Sequence, residues 1–187
     1  MDKENIRSMI ALQSITNQFL EFIDSIKKDK KKLNMSIGEV LNNFYERYEE
    51  AEAGYKDNHY FFNQYQLISS LYVYIVLPKE KFFDLIPDKL KISTLKKNSK
   101  WGLSNIKIEW GLSEEEDSFK HFLRRMRNAI SHGNIKFKEN LEFTFTDVNK
   151  KNKSDYFEVT FSMNEIVSFI RAIAYWWVTE DIELKKL

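Results

Sequence analysis

One stretch of this chain, residues 119–133, has so regular an apolar pattern that it constrains the fold more than any other feature. Its apolar residues recur at i, i+3, i+4, i+7 and i+11, which predicts one buried stripe along a helix. These residues are Phe119, Phe122, Leu123, Met126 and Ile130. Ser113, with Glu116 three residues later, has the capping-box pattern of a helix start. Gly133 predicts the helix end, because glycine adopts the left-handed conformation without a steric penalty.

The opposite face of this predicted helix is basic. At about 100° per residue, its polar side chains gather within roughly 100° of arc, and Arg127 lies on the shoulder next to the apolar stripe. These side chains are His121, Arg124, Arg125, Asn128 and His132. No acidic residue follows Asp117 in the helix, so we expect the face to be open to an anion. Histidine titrates close to neutral pH, which suits His132 to proton transfer.

The run from Arg127 to His132, with Asn128 directly after the arginine, resembles the Arg-(four residues)-His signature of the HEPN superfamily. The wider run over residues 122–135 resembles a plasmid- and defence-associated branch, in which a short strand pair and a final helix follow the motif. The resemblance implies a mainly α fold, a HEPN-like helical bundle with a β-hairpin inserted between the last two long helices. We therefore expect a single domain over residues 1–187, with its motif-bearing part at residues 113–187.

The resemblance also implies an activity, that of a metal-independent endoribonuclease. RNA carries its own nucleophile, the 2′-OH, so the protein has to supply proton transfer and charge stabilisation, and we expect neither a metal nor a cofactor. His132 would be the general base or acid. Arg127 would stabilise the phosphorane-like transition state, and Asn128 would orient the imidazole or the phosphate. Further RNA contacts are expected from Arg124, Arg125 and Ser131.

The expected partners are RNA and a second copy of the chain, because in this family two motif helices usually face each other. Arg127 and His132 lie about 140° apart on an ideal helix. They can meet on one phosphate if the helix end unwinds near Ser131 or if the partner copy supplies one of them, and we favour the second. A toxin or phage-defence effector restrained by an antitoxin or another regulatory protein fits such an activity.

Two other functions stay open at this stage. The first is a non-catalytic dimeric HEPN module that binds RNA or a nucleotide. The second is a helical protein-interaction domain, whose basic face would meet an acidic partner. The first predicts salt-sensitive RNA binding without cleavage, and the second predicts no RNA affinity at modest salt.

Composition narrows the class of protein further. A net charge of +1 over 187 residues argues against a protein that coats nucleic acid non-specifically, so any basic site has to be local. The absence of cysteine excludes disulfides and thiolate metal sites and favours a cytoplasmic protein. We expect no membrane association, because no signal-peptide pattern is found and no apolar run reaches the roughly 20 residues that span a bilayer.

Periodicity and turn residues predict the remaining elements. Helical spacing indicates helices over residues 5–26, 37–51, 59–77 and 79–86, and a last helix from 163 to about 181. Alternation indicates the two hairpin strands, at 141–146 and 157–161. Capping boxes begin two of the helices, at Ser36 with Glu39 and at Ser162 with Glu165.

Residues 88–112 are predicted to be a long connection with short local elements, and long loops in compact domains are often functional. Two interpretations of this segment are possible. Lys96, Lys97 and Lys100 could join Trp101 in a patch that contacts single-stranded RNA. Alternatively, the tryptophans anchor the segment to the body of the protein.

Overall fold

The computed structural model describes residues 16, 19–20, 22–29, 32, 34–51, 64–80, 83–111, 117–138 and 142–185. The chain divides into two compact units, one within residues 4–66 and the other from residue 67 onward. The expectation that residues 1–187 act as one domain stays a prediction.

The first unit is helical in most of its described residues. Residues 22–28 are helical, and helix α1 spans Ile37–Ala51. The predicted capping box begins α1, because the Glu39 N–H donates to Ser36 Oγ at 3.2 Å and the Ser36 N–H donates to the Glu39 carboxylate at 2.6 Å. The buried core residues are Phe22, Ile26 and Phe44. Residues 5–15, 17–18 and 21 of the predicted first helix lie outside the described residues.

The helices that follow along the chain are α2 (Gln64–Leu71), α3 (Ile92–Leu95), α4 (Phe119–Ser131) and α5 (Met163–Thr179). α2 continues into a π-helical turn at Tyr72–Val76 and a 3₁₀ turn at Leu77–Glu80. Further 3₁₀ turns lie at Phe83–Leu85 and Ser99–Trp101. The predicted capping box of Ser162 and Glu165 begins α5. Within the described part of the chain, we find no helix long and apolar enough to cross a bilayer.

A four-stranded antiparallel sheet in the described residues corrects the predicted mainly α bundle with an inserted hairpin. Its strands are β1 (Lys107–Trp110), β2 (Ile135–Phe137), β3 (Phe143–Val148) and β4 (Tyr156–Phe161). The strand order is β1-β4-β3-β2, so the predicted hairpin of β3 and β4 forms the centre of a larger sheet. The fold is therefore mixed α/β.

The two edge strands were not predicted because they are too short to show a clear alternation. β1 has 4 residues and β2 has 3. Pairing with a central strand defines each of them: Ile108 lies opposite Val159 of β4, and Ile135 lies opposite Phe145 of β3. Since an isolated hairpin is only marginally stable, the two added edges stabilise the predicted pair.

The apolar face of the sheet packs against α4 and α5. All five residues of the apolar stripe predicted for α4 are at most 1% exposed, which confirms that prediction. Phe122 packs on Phe157 with ring centroids 5.7 Å apart, and Phe161 packs on Phe169 at 5.4 Å. Each fully buried phenylalanine contributes roughly 1.5–3 kcal/mol. This packing fixes the rotation of α4, so Arg124, Ser131 and His132 face away from the core.

Candidate functional site

The candidate site lies at the C-terminal half of α4, and the end of this helix has a complete Schellman motif. Gly133 adopts φ 66°, as predicted for the residue after the helix. Its N–H donates to the Ile130 carbonyl at 3.0 Å, and the Asn134 N–H donates to the Ala129 carbonyl at 2.9 Å. These bonds fix the backbone on both sides of His132.

The start of α4 differs from the prediction. Ser118 is the N-cap, and its hydroxyl accepts from the His121 N–H at 3.2 Å. The predicted cap, Ser113, lies outside the described residues. Both serines precede a plausible first turn, so the sequence alone did not distinguish between them.

Tyr72 supports the end of α4 from the π-helical turn, a role that sequence reasoning missed. Its hydroxyl donates to the Ile130 carbonyl at 2.7 Å. That carbonyl also accepts from Gly133 in the Schellman motif. Burial raises the pKa of the Tyr72 hydroxyl, so the group stays protonated and can donate.

Five of the predicted site residues lie next to one another on the surface of α4. Arg124, Ser131 and His132 are exposed, and Arg127 and Asn128 are partly buried. Helical spacing extends to His132, because its N–H donates to the Asn128 carbonyl at 3.0 Å. These five residues therefore span about 140° of the helix circumference. We call them the motif surface.

Two contacts with described residues hold Arg127. Its Nη2 donates to Asn128 Oδ1 at 2.8 Å, and its Cζ lies 5.7 Å from the centroid of the Phe83 ring. Burial and the charge of Arg124 lower the pKa of Arg127, and the charge of Asp147 opposes them. An arginine in a protein remains protonated, so the motif surface carries a fixed and partly desolvated cation.

Asn128 connects Arg127 to the sheet. Its Nδ2 donates to Asp147 Oδ2 at 3.1 Å. Asp147 lies on β3 and is 8% exposed. Sequence reasoning missed this residue, although the alternation in β3 places it on the same face as Phe143 and Phe145, which are buried against the helices.

Arg125 was predicted to contact RNA, but its position favours a structural role. It is 8% exposed. Its Nη1 lies 3.2 Å from Asp147 Oδ2, and its Nη2 lies 2.9 Å from Asp155 Oδ1. A buried cation with two carboxylate partners joins α4 to the sheet and is not available to an RNA phosphate.

His121 is also withdrawn from the predicted open face. It is 9% exposed and packs against Trp110, with ring centroids 5.2 Å apart. Arg124 Nη2 lies 2.6 Å from His121 Nδ1. Because a guanidinium can only donate, Nδ1 accepts and the imidazole proton lies on Nε2. The basic face open to an anion is thus narrower than the sequence suggested.

The regular helix points the side chains of Arg127 and His132 in different directions within one chain. The helix remains regular up to the cap, so the two side chains leave it about 140° apart. Unwinding near Ser131, one of the two ways in which they could meet, is not observed. The other way, in which a partner copy supplies one of the two residues, stays a prediction.

The segment between α3 and β1 favours the anchoring interpretation over an RNA-contact patch. Trp101 is fully buried, with 0% exposure, and its Nε1 donates to the Ile182 carbonyl at 3.0 Å. Lys100 Nζ donates to the Leu184 carbonyl at 2.9 Å. Trp101 is therefore not available to stack on a base.

Comparison with known proteins identifies the family. A family model described as HEPN pEK499 p136 matches residues 1–184. Neither a curated protein nor a solved structure matches the chain significantly. The match confirms the predicted HEPN superfamily and its plasmid-associated branch. Because the model covers nearly the whole chain, the protein belongs to the HEPN pEK499 p136 family.

Proposed function

We propose that this HEPN protein is a metal-independent endoribonuclease that acts as a homodimer. The observation that carries the proposal is the motif surface itself. The core-facing side of α4 is buried, and its Arg124, Ser131 and His132 are exposed around a helix end with a defined backbone. A cation, a titratable imidazole and a hydroxyl on one surface are the groups that phosphodiester cleavage requires.

The chemistry follows from the substrate. The 2′-oxygen of RNA attacks the adjacent phosphorus, the P–O5′ bond breaks, and the products are a 2′,3′-cyclic phosphate and a 5′-hydroxyl. A base has to take the 2′ proton and an acid has to protonate the leaving oxygen, and His132 is the residue proposed for these roles. Arg127 stabilises the charge on the non-bridging oxygens. Arg124 and Ser131 contact neighbouring phosphates.

The dimer is part of the proposal because one chain supplies an incomplete site. HEPN domains often function as dimers and bind RNA. Two facing copies of α4 would place two imidazoles and two guanidinium groups in one cleft. One His132 would then act as base and the other as acid, and the 140° divergence within each chain would no longer matter.

A ribonuclease of this kind damages its own host unless it is restrained. We therefore propose that the protein is a toxin or phage-defence effector in the cytoplasm, restrained by an antitoxin or another regulatory protein. The plasmid-associated branch to which the family belongs supports this role.

Cleavage of structured RNA by the purified protein in EDTA tests the proposal. His132→Ala should lower the rate about 10²- to 10⁴-fold, and Arg127→Ala about 10²- to 10³-fold. Arg171→Ala, at an exposed arginine of α5, is the matched control and should cut like the wild type. An inert wild type, or a His132→Ala variant with full activity, would count against the proposal.

A non-catalytic RNA-binding module is the second candidate, and the divergence of Arg127 and His132 within one chain favours it if the protein is a monomer. It predicts RNA binding that weakens steeply with salt. Under this alternative Arg127→Ala and Arg124→Ala weaken binding, and no 2′,3′-cyclic phosphate forms with any variant.

A further inference from the structure

We infer that Asp147 is a positioning residue for Arg127 and acts on it through the side chain of Asn128. Because Arg127 is the group proposed to meet the phosphate, this role rests on the proposed function. Asp147 itself is 8% exposed, so it is placed to orient other groups and not to touch RNA.

The sheet brings Asp147 to α4. Side chains alternate along β3, so Asp147 lies on the same face of the strand as Phe143 and Phe145. This face is directed toward α4. One carboxylate oxygen, Oδ2, accepts from Asn128 Nδ2 at 3.1 Å and lies 3.2 Å from Arg125 Nη1. The carboxylate therefore has a fixed place between a buried cation and the amide of the motif.

The carboxylate determines which way the Asn128 amide points. With Nδ2 toward Asp147, Oδ1 points to Arg127 and accepts from its Nη2 at 2.8 Å. The reversed amide would place its oxygen against the carboxylate and its NH₂ against the guanidinium, and both contacts are repulsive. Asp147 thus sets the orientation of the Asn128 amide. The amide in turn sets the orientation of Arg127.

Asp155 provides a matched control for this role. It shares the buried Arg125 with Asp147, at 2.9 Å from Nη2. Its other side-chain contact that the structure describes is with the Asn149 amide, at 3.0 Å. Asp147→Asn and Asp155→Asn therefore each remove one charge from the same ion-pair network, and only the first removes it from beside Asn128.

The first experiment compares steady-state RNA cleavage by the two variants. Asp147→Asn should lower kcat roughly 10- to 100-fold, because an amide at this position can present its NH₂ as well as its oxygen to Asn128, so the Asn128 amide can reverse and the guanidinium of Arg127 is misplaced. KM should change less than about 2-fold, since exposed residues such as Arg124 still bind RNA. Asp155→Asn should keep both constants within about 3-fold of the wild type. Equal kcat losses in the two variants would assign Asp147 a merely structural role.

A double-mutant cycle tests whether the effect passes through Asn128. If it does, Asp147→Asn lowers kcat in the wild-type background and has no further effect, within about 2-fold, in Asn128→Ala. Multiplicative losses in the double variant would overturn the inference. Asn128→Ala leaves both ion pairs of Arg125 in place, so it remains informative if Asp147→Asn fails to fold.

A readout that does not need catalysis separates this role from the proposed function. The Arg127 Nε–Hε resonance in ¹⁵N-labelled protein, assigned by its loss in Arg127→Lys, reports the environment of the guanidinium. It should move in Asp147→Asn and in Asn128→Ala and stay in place in Asp155→Asn. If the wild type does not cleave RNA, the proposed function fails while this test still decides the role of Asp147. An unmoved Arg127 resonance in Asn128→Ala and Asp147→Asn overturns that role.

Discussion

Three arginines of α4 have different surroundings, and these surroundings determine whether each guanidinium can bind an anion. Arg124 is exposed, Arg125 is buried between two carboxylates, and Arg127 is partly buried on Asn128 and Phe83. A rotation of about 100° per residue separates the first two, which is enough to turn one side chain to solvent and the next toward the sheet. Only Arg124 and Arg127 are suited to meet an anion.

Alanine substitutions at Arg124 and Arg125 should therefore affect different properties. The Arg125 variant should mainly lose stability, and the Arg124 variant should mainly lose RNA binding. Arg125→Ala leaves Asp147 and Asp155 without their shared cation and should lower the free energy of unfolding by about 3 kcal/mol. Arg124→Ala removes the donor to the Nδ1 of the buried His121 and should cost about 1 kcal/mol, and it should lower the salt dependence of RNA binding by about one phosphate contact. Urea unfolding and RNA binding across a salt series measure the two effects. Equal stability losses in the two variants would contradict the structural role of Arg125.

Tyr72→Phe tests the bond that supports the end of α4. Removing the hydroxyl that donates to the Ile130 carbonyl should cost about 1 kcal/mol near neutral pH. Burial raises the pKa of this hydroxyl. Its contribution is therefore fully present below the unfolded pKa of about 10 and is lost as pH rises through the folded pKa.

The difference between the wild type and Tyr72→Phe should accordingly shrink in alkaline solution. Urea unfolding between about pH 8 and about pH 11 measures it, and the other tyrosines are common to both proteins. A difference that is constant over this range would show that the hydroxyl is not buried against α4.

At the scale of elements, two glycines with nearly the same φ end two different kinds of helical turn. Gly133 ends α4 at φ 66°, and Gly102 follows a 3₁₀ turn at φ 64°. A Cβ on Gly102 would lie 2.2 Å from the Glu165 carbonyl oxygen of α5. The backbone at Gly102, in the segment between α3 and β1, thus packs directly against the first turn of α5.

Gly133→Ala and Gly102→Ala should differ for this reason. The left-handed conformation alone costs roughly 1–2 kcal/mol with a Cβ, and this is the loss expected for Gly133→Ala. Gly102→Ala carries the same cost and in addition forces α5 away, so its loss should be clearly larger. Thermal unfolding of both variants measures the difference. Equal losses would mean that α5 does not pack on Gly102 as described.

At the scale of the molecule, the protein is nearly neutral, with a net charge of +1. Arg125 is neutralised inside the molecule, and the motif surface keeps Arg124 and Arg127. A low net charge with two arginines on the motif surface fits a local RNA site better than extended coating of nucleic acid. The proposed dimer would double that local charge.

Cross-linking can test whether two motif surfaces face each other. The chain contains no cysteine, so Ser131→Cys introduces a single thiol on the motif surface. Oxidation should yield a disulfide-linked dimer, since the two helix ends lie close together in the proposed cleft. Lys151→Cys, in the exposed turn between β3 and β4, should remain monomeric on a non-reducing gel. A monomer with both variants would contradict the proposed arrangement, and added RNA should slow the cross-link.

The sequence by itself determined the elements whose information is local. Spacing alone identified the buried stripe of α4. Gly133 identified the end of this helix, and the capping boxes at Ser36 and Ser162 identified the starts of α1 and α5. These signals are local because caps and amphipathic faces depend on neighbours within one or two turns. The motif residues Arg127, Asn128 and His132 were recognised by their resemblance to the HEPN signature, which lies within six consecutive residues.

Only the tertiary structure decided what depends on distant pairing. β1 and β2 are too short to predict and exist because β4 and β3 offer free edges. The burial of Arg125 and the place of Asp147 beside Asn128 depend on how the sheet packs against α4. No local pattern encodes these contacts, since the partners are separated along the chain and meet only when the apolar faces of helix and sheet are buried together.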